Sequence, residues 1–97
     1  MIGEALRLIR VFYGYKAIEL AKKLEISQSY LSEIENGKKE PNLELLRKYS
    51  KIFNLKVSTL LFFSEEIEQE DKTPINKKII KLLQVIEKFG GFNEENS

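Results

Sequence analysis

Residues 17–41 read AIELAKKLEISQSYLSEIENGKKEP, and this stretch decides how the rest of the chain is arranged. It divides into two short segments of helical periodicity joined by a tight turn, with a glycine stop and a basic loop behind them. Ser27 is a good helix N-cap, because its hydroxyl can accept from a backbone N–H that the first turn leaves orphaned. Gly37 suits the left-handed residue that ends a helix. The second segment is therefore predicted to be helical over 28–36. At about 100° per residue, Tyr30, Leu31, Ile34 and Glu35 share one side, and Gln28, Ser29, Ser32, Glu33 and Asn36 share the other. The first side is mostly apolar and faces a core. The second carries short hydrogen-bonding groups where a merely solvated face is usually filled with long Lys and Glu. Gln, Ser and Asn can bond base edges or phosphates in a DNA major groove. This is the candidate recognition helix.

Toward the N-terminus, Ile2, Leu6, Ile9 and Tyr13 recur at helical spacing and predict a first helix over residues 3–13. Arg10 stands at the edge of that stripe, and Glu35 stands near Leu31 on the inward side of the recognition helix. A half-buried carboxylate needs a partner. An Arg10–Glu35 ion pair is predicted, tying the first helix to the third.

With these residues in view, the stretch resembles the helix-turn-helix of the lambda-repressor-like (Cro/XRE) family of bacterial and phage regulators. Glu19-Leu20-Ala21, Ile26-Ser27, Tyr30-Leu31-Ser32, Ile34-Glu35-Asn36-Gly37, and Pro41 behind the basic loop carry the resemblance. It runs from about Ile2 to Leu61 and takes in Arg10. It implies an all-α, five-helix DNA-binding domain that binds operator DNA, usually as a dimer, and it also implies the Arg10–Glu35 pair. Three positions depart from the family pattern. Lys16 and Ala17 stand where a Ser or Thr cap and a Gln often hold a phosphate; Lys16 retains that capacity through its charge, while Ala17 does not. Glu25 stands where the turn commonly has glycine. A positive φ there costs on the order of 1 kcal/mol for Glu relative to Gly.

Beyond Gly37, Lys38 and Lys39 flank the recognition helix, where lysines neutralise phosphates and fix register. For Lys39 an ordinary solvated turn is an equal reading. Tyr30 lies at the boundary between phosphate contact and core packing. Asn42 is predicted to cap a fourth helix, Leu43 to Phe53, with Leu43, Leu46, Tyr49 and Phe53 as its stripe. Ser58 is predicted to cap a short fifth helix in which Leu60 and Leu61 close the domain, giving residues 1–64 as the helix-turn-helix unit. Residues 65–74 are expected to form an acidic linker or a frayed helix extension. Thr73-Pro74 is a helix start, and Ile75, Ile79, Leu82, Leu83, Ile86 and Phe89 mark an amphipathic helix over 75–90. Gly90-Gly91 is its predicted stop, and residues 91–97 are expected to be a loose tail. The last helix has too much apolar surface to stand alone. It packs back on its domain or pairs with a second chain, and the acidic connector favours dimerisation.

Composition narrows the function. The 97 residues are 42% hydrophobic, which is enough for one small core without covalent staples. The net charge of +1 conceals an asymmetry: residues 1–64 hold 11 Lys+Arg against 7 Glu, whereas residues 65–74 hold 1 Lys against 5 acids. A basic domain followed by an acidic connector fits a nucleic-acid binder. The chain has no cysteine and no histidine. The usual nucleophile–base pairs and metal clusters cannot be assembled, and no glycine loop is present to cradle a phosphate. No enzyme activity, cofactor or metal is expected. Neither a transmembrane-length run nor a signal-peptide pattern occurs, so a cytoplasmic protein without a membrane partner is expected.

The function expected is a transcriptional regulator binding double-stranded DNA, most simply a homodimeric repressor. Gln28, Ser29, Ser32 and Glu33 would read bases, while Lys16, Tyr30, Asn36, Lys38 and Lys39 would hold phosphates. The alternative is a protein-interaction adaptor or antitoxin-type regulator whose last helix captures a partner protein.

Overall fold

Four consecutive segments end in the same way, and those endings set the path of the chain. In the computed structural model, which describes residues 2–69 and 73–89, the helices are α1 (Ile2–Phe12), α2 (Ala17–Leu24), α3 (Gln28–Glu35), α4 (Leu43–Phe53), α5 (Val57–Glu68) and α6 (Ile75–Phe89). The described residues contain no strand. Behind α1 to α4 stand Gly14, Glu25, Gly37 and Asn54, each with φ between 59° and 81°. In each case the next residue's N–H reaches back to a carbonyl five residues earlier: Tyr15 to Arg10, Ile26 to Ala21, Lys38 to Glu33 and Leu55 to Ser50. These bonds satisfy carbonyls that the last turn would leave bare and reverse the chain within two residues. At the other ends, Ser27 Oγ accepts from the Tyr30 N–H (3.0 Å) and Asn42 Oδ1 from the Leu45 N–H (2.8 Å).

The core is built from the inward stripes of all six helices. Leu6 and Ile9 of α1, Leu20 and Leu24 of α2, and Leu31 and Ile34 of α3 are fully enclosed. Tyr49 from α4 and Leu60, Phe63 and Ile67 from α5 join them. Burial of each such side chain contributes roughly 1.5–3 kcal/mol.

α1 and α3 differ from the sequence expectation by no more than one residue at either end, and α5 differs more. α5 starts earlier, with Lys56 in extended geometry at its N-cap position and making no side-chain cap, so Ser58 lies within the first turn. α5 also runs on through Glu68. Leu60, Phe63 and Ile67 keep one buried stripe through the acidic stretch, while Glu65 and Glu68 stay exposed. The first four residues of the expected linker are therefore helix. Residues 70–72 of that linker, the Gly90-Gly91 stop and the 91–97 tail lie outside the described residues.

α6 lies on its own domain, against α5 and α1. Lys78, Leu82 and Val85 are its buried residues. Leu82, expected at a dimer contact, is 1% exposed and belongs to this chain's own core, because it projects on the same side as Val85. Ile79 and Ile86 are half-buried at the border, while Ile75, Leu83 and Phe89, together with Ile80, remain exposed. Phe89 also meets Phe62 of α5 edge to face, 5.1 Å between ring centres. Lys78 reaches α1, where its Nζ donates to Glu4 Oε2 at 2.5 Å.

Candidate nucleic-acid interface

The geometry of the α2–turn–α3 unit begins with Glu25. Its left-handed conformation (φ 64°) lets the chain turn sharply, and the extended Ser27 then starts α3. Lys48 of α4 supports the turn from beside it: its Nζ donates to the Leu24 carbonyl (3.1 Å) and to Glu25 Oε1 (3.3 Å). A cation there complements the carbonyl end of α2. Sequence reasoning missed this role, since a lysine on the rim of α4 carries no local sign of a partner 24 residues away.

On α3, Gln28, Ser29, Ser32 and Asn36 are exposed and Glu33 is half-exposed. Asn36 Nδ2 donates to Ser32 Oγ (3.3 Å), which presets the Asn36 amide along the helix side while leaving the Ser32 hydroxyl proton available. Tyr30 is half-buried and lines a small pocket with Ile26, Asn42, Leu45 and Lys48, so it lies toward α4. The backbone N–H groups of Lys38 and Lys39 both donate to the Glu33 carbonyl (2.8 and 3.2 Å). That fold-back holds the basic loop against the C-terminal end of α3, with both lysine side chains exposed.

Lys16 is exposed at the start of α2, and its side chain makes no cap. Its backbone N–H donates to Glu19 Oε1 (2.9 Å), so one half of a capping box stands in for the missing Ser or Thr. Ala17 is half-buried and offers no polar group.

The helix-turn-helix is fixed to the domain by Arg10. Its Nε donates to Glu35 Oε2 at 2.8 Å and its Nη2 to Glu35 Oε1 at 3.0 Å, while Nη1 donates to the Tyr15 carbonyl at 3.0 Å. The hydrogen bonds to Glu35 raise the Arg10 pKa above its ordinary value. Tyr49 lies in the same electrostatic neighbourhood; burial, and then the Glu35 charge, push its hydroxyl pKa well above the normal tyrosine range. Its Oη is buried without a hydrogen-bond partner among the described residues.

An all-α domain in which a capped helix carries short polar groups outward, flanked by lysines, defines a helix-turn-helix DNA-binding regulator. The chain belongs to the helix-turn-helix family, of the lambda-repressor-like (Cro/XRE) type, and the family profile matches residues 6–60. It is 38% identical over 71 residues to the HTH-type transcriptional regulator SinR of Bacillus licheniformis, covering 72% of this chain and 64% of that protein. It is 36% identical over 66 residues to the transcriptional regulator ClgR of Mycobacterium tuberculosis, covering 68% of this chain and 59% of that protein. An uncharacterized HTH-type transcriptional regulator of Archaeoglobus fulgidus is 34% identical over 61 residues, which are 63% of this chain and 87% of the archaeal one. The chain thus spans less than two thirds of the length of SinR and ClgR. No solved structure matches. Among the described residues no helix is long and apolar enough to cross a membrane.

Proposed function

We propose that this regulator acts as a dimeric repressor that reads an inverted-repeat operator with α3. The observation that carries the reading is the exposed row of Gln28, Ser29, Ser32 and Asn36 on a helix whose other side is locked into the core. Gln28 is suited to a bidentate bond with adenine, and Glu33 to accepting from a cytosine amino group. Ser29 and Ser32 donate or accept and discriminate less. Lys16, Lys38 and Lys39 are the phosphate anchors, with Asn36 and the Tyr30 hydroxyl as neutral contacts.

The dimer contact proposed is the outer side of α6, where Ile75, Leu83 and Phe89 are exposed and Ile79 and Ile86 half-exposed. The same apolar strip supports a second reading, in which α6 captures a partner protein and the helix-turn-helix delivers the complex to DNA.

Selection of sites from a random duplex pool tests this. An inverted repeat with half-sites about one helical turn apart is the expected result. A lone half-site would remove the dimer, and no enrichment at low salt would remove the DNA-reading role.

A further inference from the structure

α1 touches both α6 and the recognition helix, and it does so within its first turn. Gly3 is buried against the C-terminal end of α3 so closely that a Cβ on it would stand 2.1 Å from the Ile34 carbonyl oxygen and 3.0 Å from that of Glu35. The Ile34 carbonyl is also the acceptor for the Gly37 N–H (3.1 Å), one of the bonds that close the end of α3. The next residue, Glu4, is held by Lys78, whose side chain is only 7% exposed. Enclosing an ammonium group this far is costly unless a carboxylate pairs with it, and Glu4 is the carboxylate in reach. Farther along α1, Arg10 holds Glu35. The recognition helix is therefore fixed to α1 at two points, and one of them adjoins the residue that α6 grips.

We propose that Lys78 of α6 is a positioning residue for α3, acting through Glu4 and Gly3. With the pair in place, the first turn of α1 is held against the Ile34 carbonyl and the end of α3 has one position. With the pair removed, Arg10–Glu35 remains as a pivot and the end of α3, with Asn36 to Lys39, moves about it. The inference rests on the DNA-reading role of α3 for its functional consequence, but its structural half can be measured without DNA.

The test is amide hydrogen exchange on the full chain bearing Lys78→Met, which keeps the packing of the stem and removes the charge. α6 should stay protected, while exchange at Gly37 and Lys38 rises about fivefold or more. Glu4→Gln should give the same pattern, and the charge-exchanged double variant Glu4→Lys with Lys78→Glu should restore the wild-type rates. Affinity for a selected operator should fall by a similar factor in both single variants and recover in the double one. Unchanged exchange at Gly37 and Lys38, or a uniform rise across all helices in both single variants, would overturn the proposal. Failure of the wild type to select any DNA would remove the operator reading alone, since the exchange result stands without it.

Discussion

Arg10 and Glu35, 25 residues apart, meet in a two-pronged ion pair whose side chains are only 13% and 7% exposed. The pair also ties the α1–α2 connection to α3, because the third guanidinium nitrogen bonds the Tyr15 carbonyl. Breaking a pair this buried leaves one charge without a partner, which costs more than the pair itself contributes. Arg10→Ala and Glu35→Ala should each lower unfolding free energy by about 3 kcal/mol, and the double variant by less than the sum. Denaturant titrations of the four proteins measure the coupling, and strict additivity would refute it.

Glu25 occupies a conformation that suits glycine, and the ion pair it makes with Lys48 is weak because the Glu25 side chain is 78% exposed. Glu25→Gly should therefore stabilise the domain by about 0.5–1 kcal/mol, after the loss of backbone entropy that glycine brings. Thermal unfolding reads this as a rise of a few degrees. A fall would mean that the Lys48 contact outweighs the strain.

Tyr49 keeps its hydroxyl buried and unpaired with any described residue. Tyr49→Phe should be neutral or stabilising by up to about 1 kcal/mol, because no hydrogen bond is lost. The pH dependence has a definite sign. The folded-state pKa of Tyr49 is raised, so its stabilising contribution is complete below the unfolded value near pH 10 and declines as pH rises beyond it. The alkaline loss of stability should be shallower in Tyr49→Phe than in the wild type; equal slopes would assign it to other groups.

On the base-reading role proposed for α3, Gln28→Ala should relax discrimination at one operator position, for about 1–3 kcal/mol. Lys38→Ala should instead weaken all duplexes alike and reduce the salt slope by about one. Binding assays on matched and singly mismatched duplexes separate the two. Equal losses on every sequence for Gln28→Ala would remove it from base reading.

Leu83 is 48% exposed on α6, so Leu83→Lys should leave unfolding free energy within about 0.5 kcal/mol of the wild type. If the outer side of α6 joins two chains, sedimentation should show the variant as a monomer. A dimer that persists places the contact elsewhere.

What could be read from the residues follows from the range of the interaction. The caps at Ser27 and Asn42 and the stop at Gly37 act within five residues, so local pattern suffices to place α3 and α4. The boundaries of α5 were obscured because composition there is governed by solvent: three glutamates in 65–68 look like a linker while Ile67 between them continues a core stripe. Lys48 and Lys78 gave no signal at all. A lysine shows its partner only when the fold brings a carbonyl or carboxylate from a distant helix to its tip, as Leu24 and Glu4 are brought here. The apolar stripe of α6 could be seen in its spacing, but which part of it meets the domain depended on the shape of α1 and α5.

The repeated left-handed endings at Gly14, Glu25, Gly37 and Asn54 also bear on how fast the chain finds its structure. Each reversal is encoded within a few residues, so the helix ends form locally, whereas the packing of α1 on α5 joins the two ends of the five-helix unit. The Glu4–Lys78 bond reaches farther still, joining residues 74 apart. During synthesis α1 to α5 emerge before α6, and until α6 seats Leu82 and Val85 the apolar sides of α1 and α5 that it covers stay open to water.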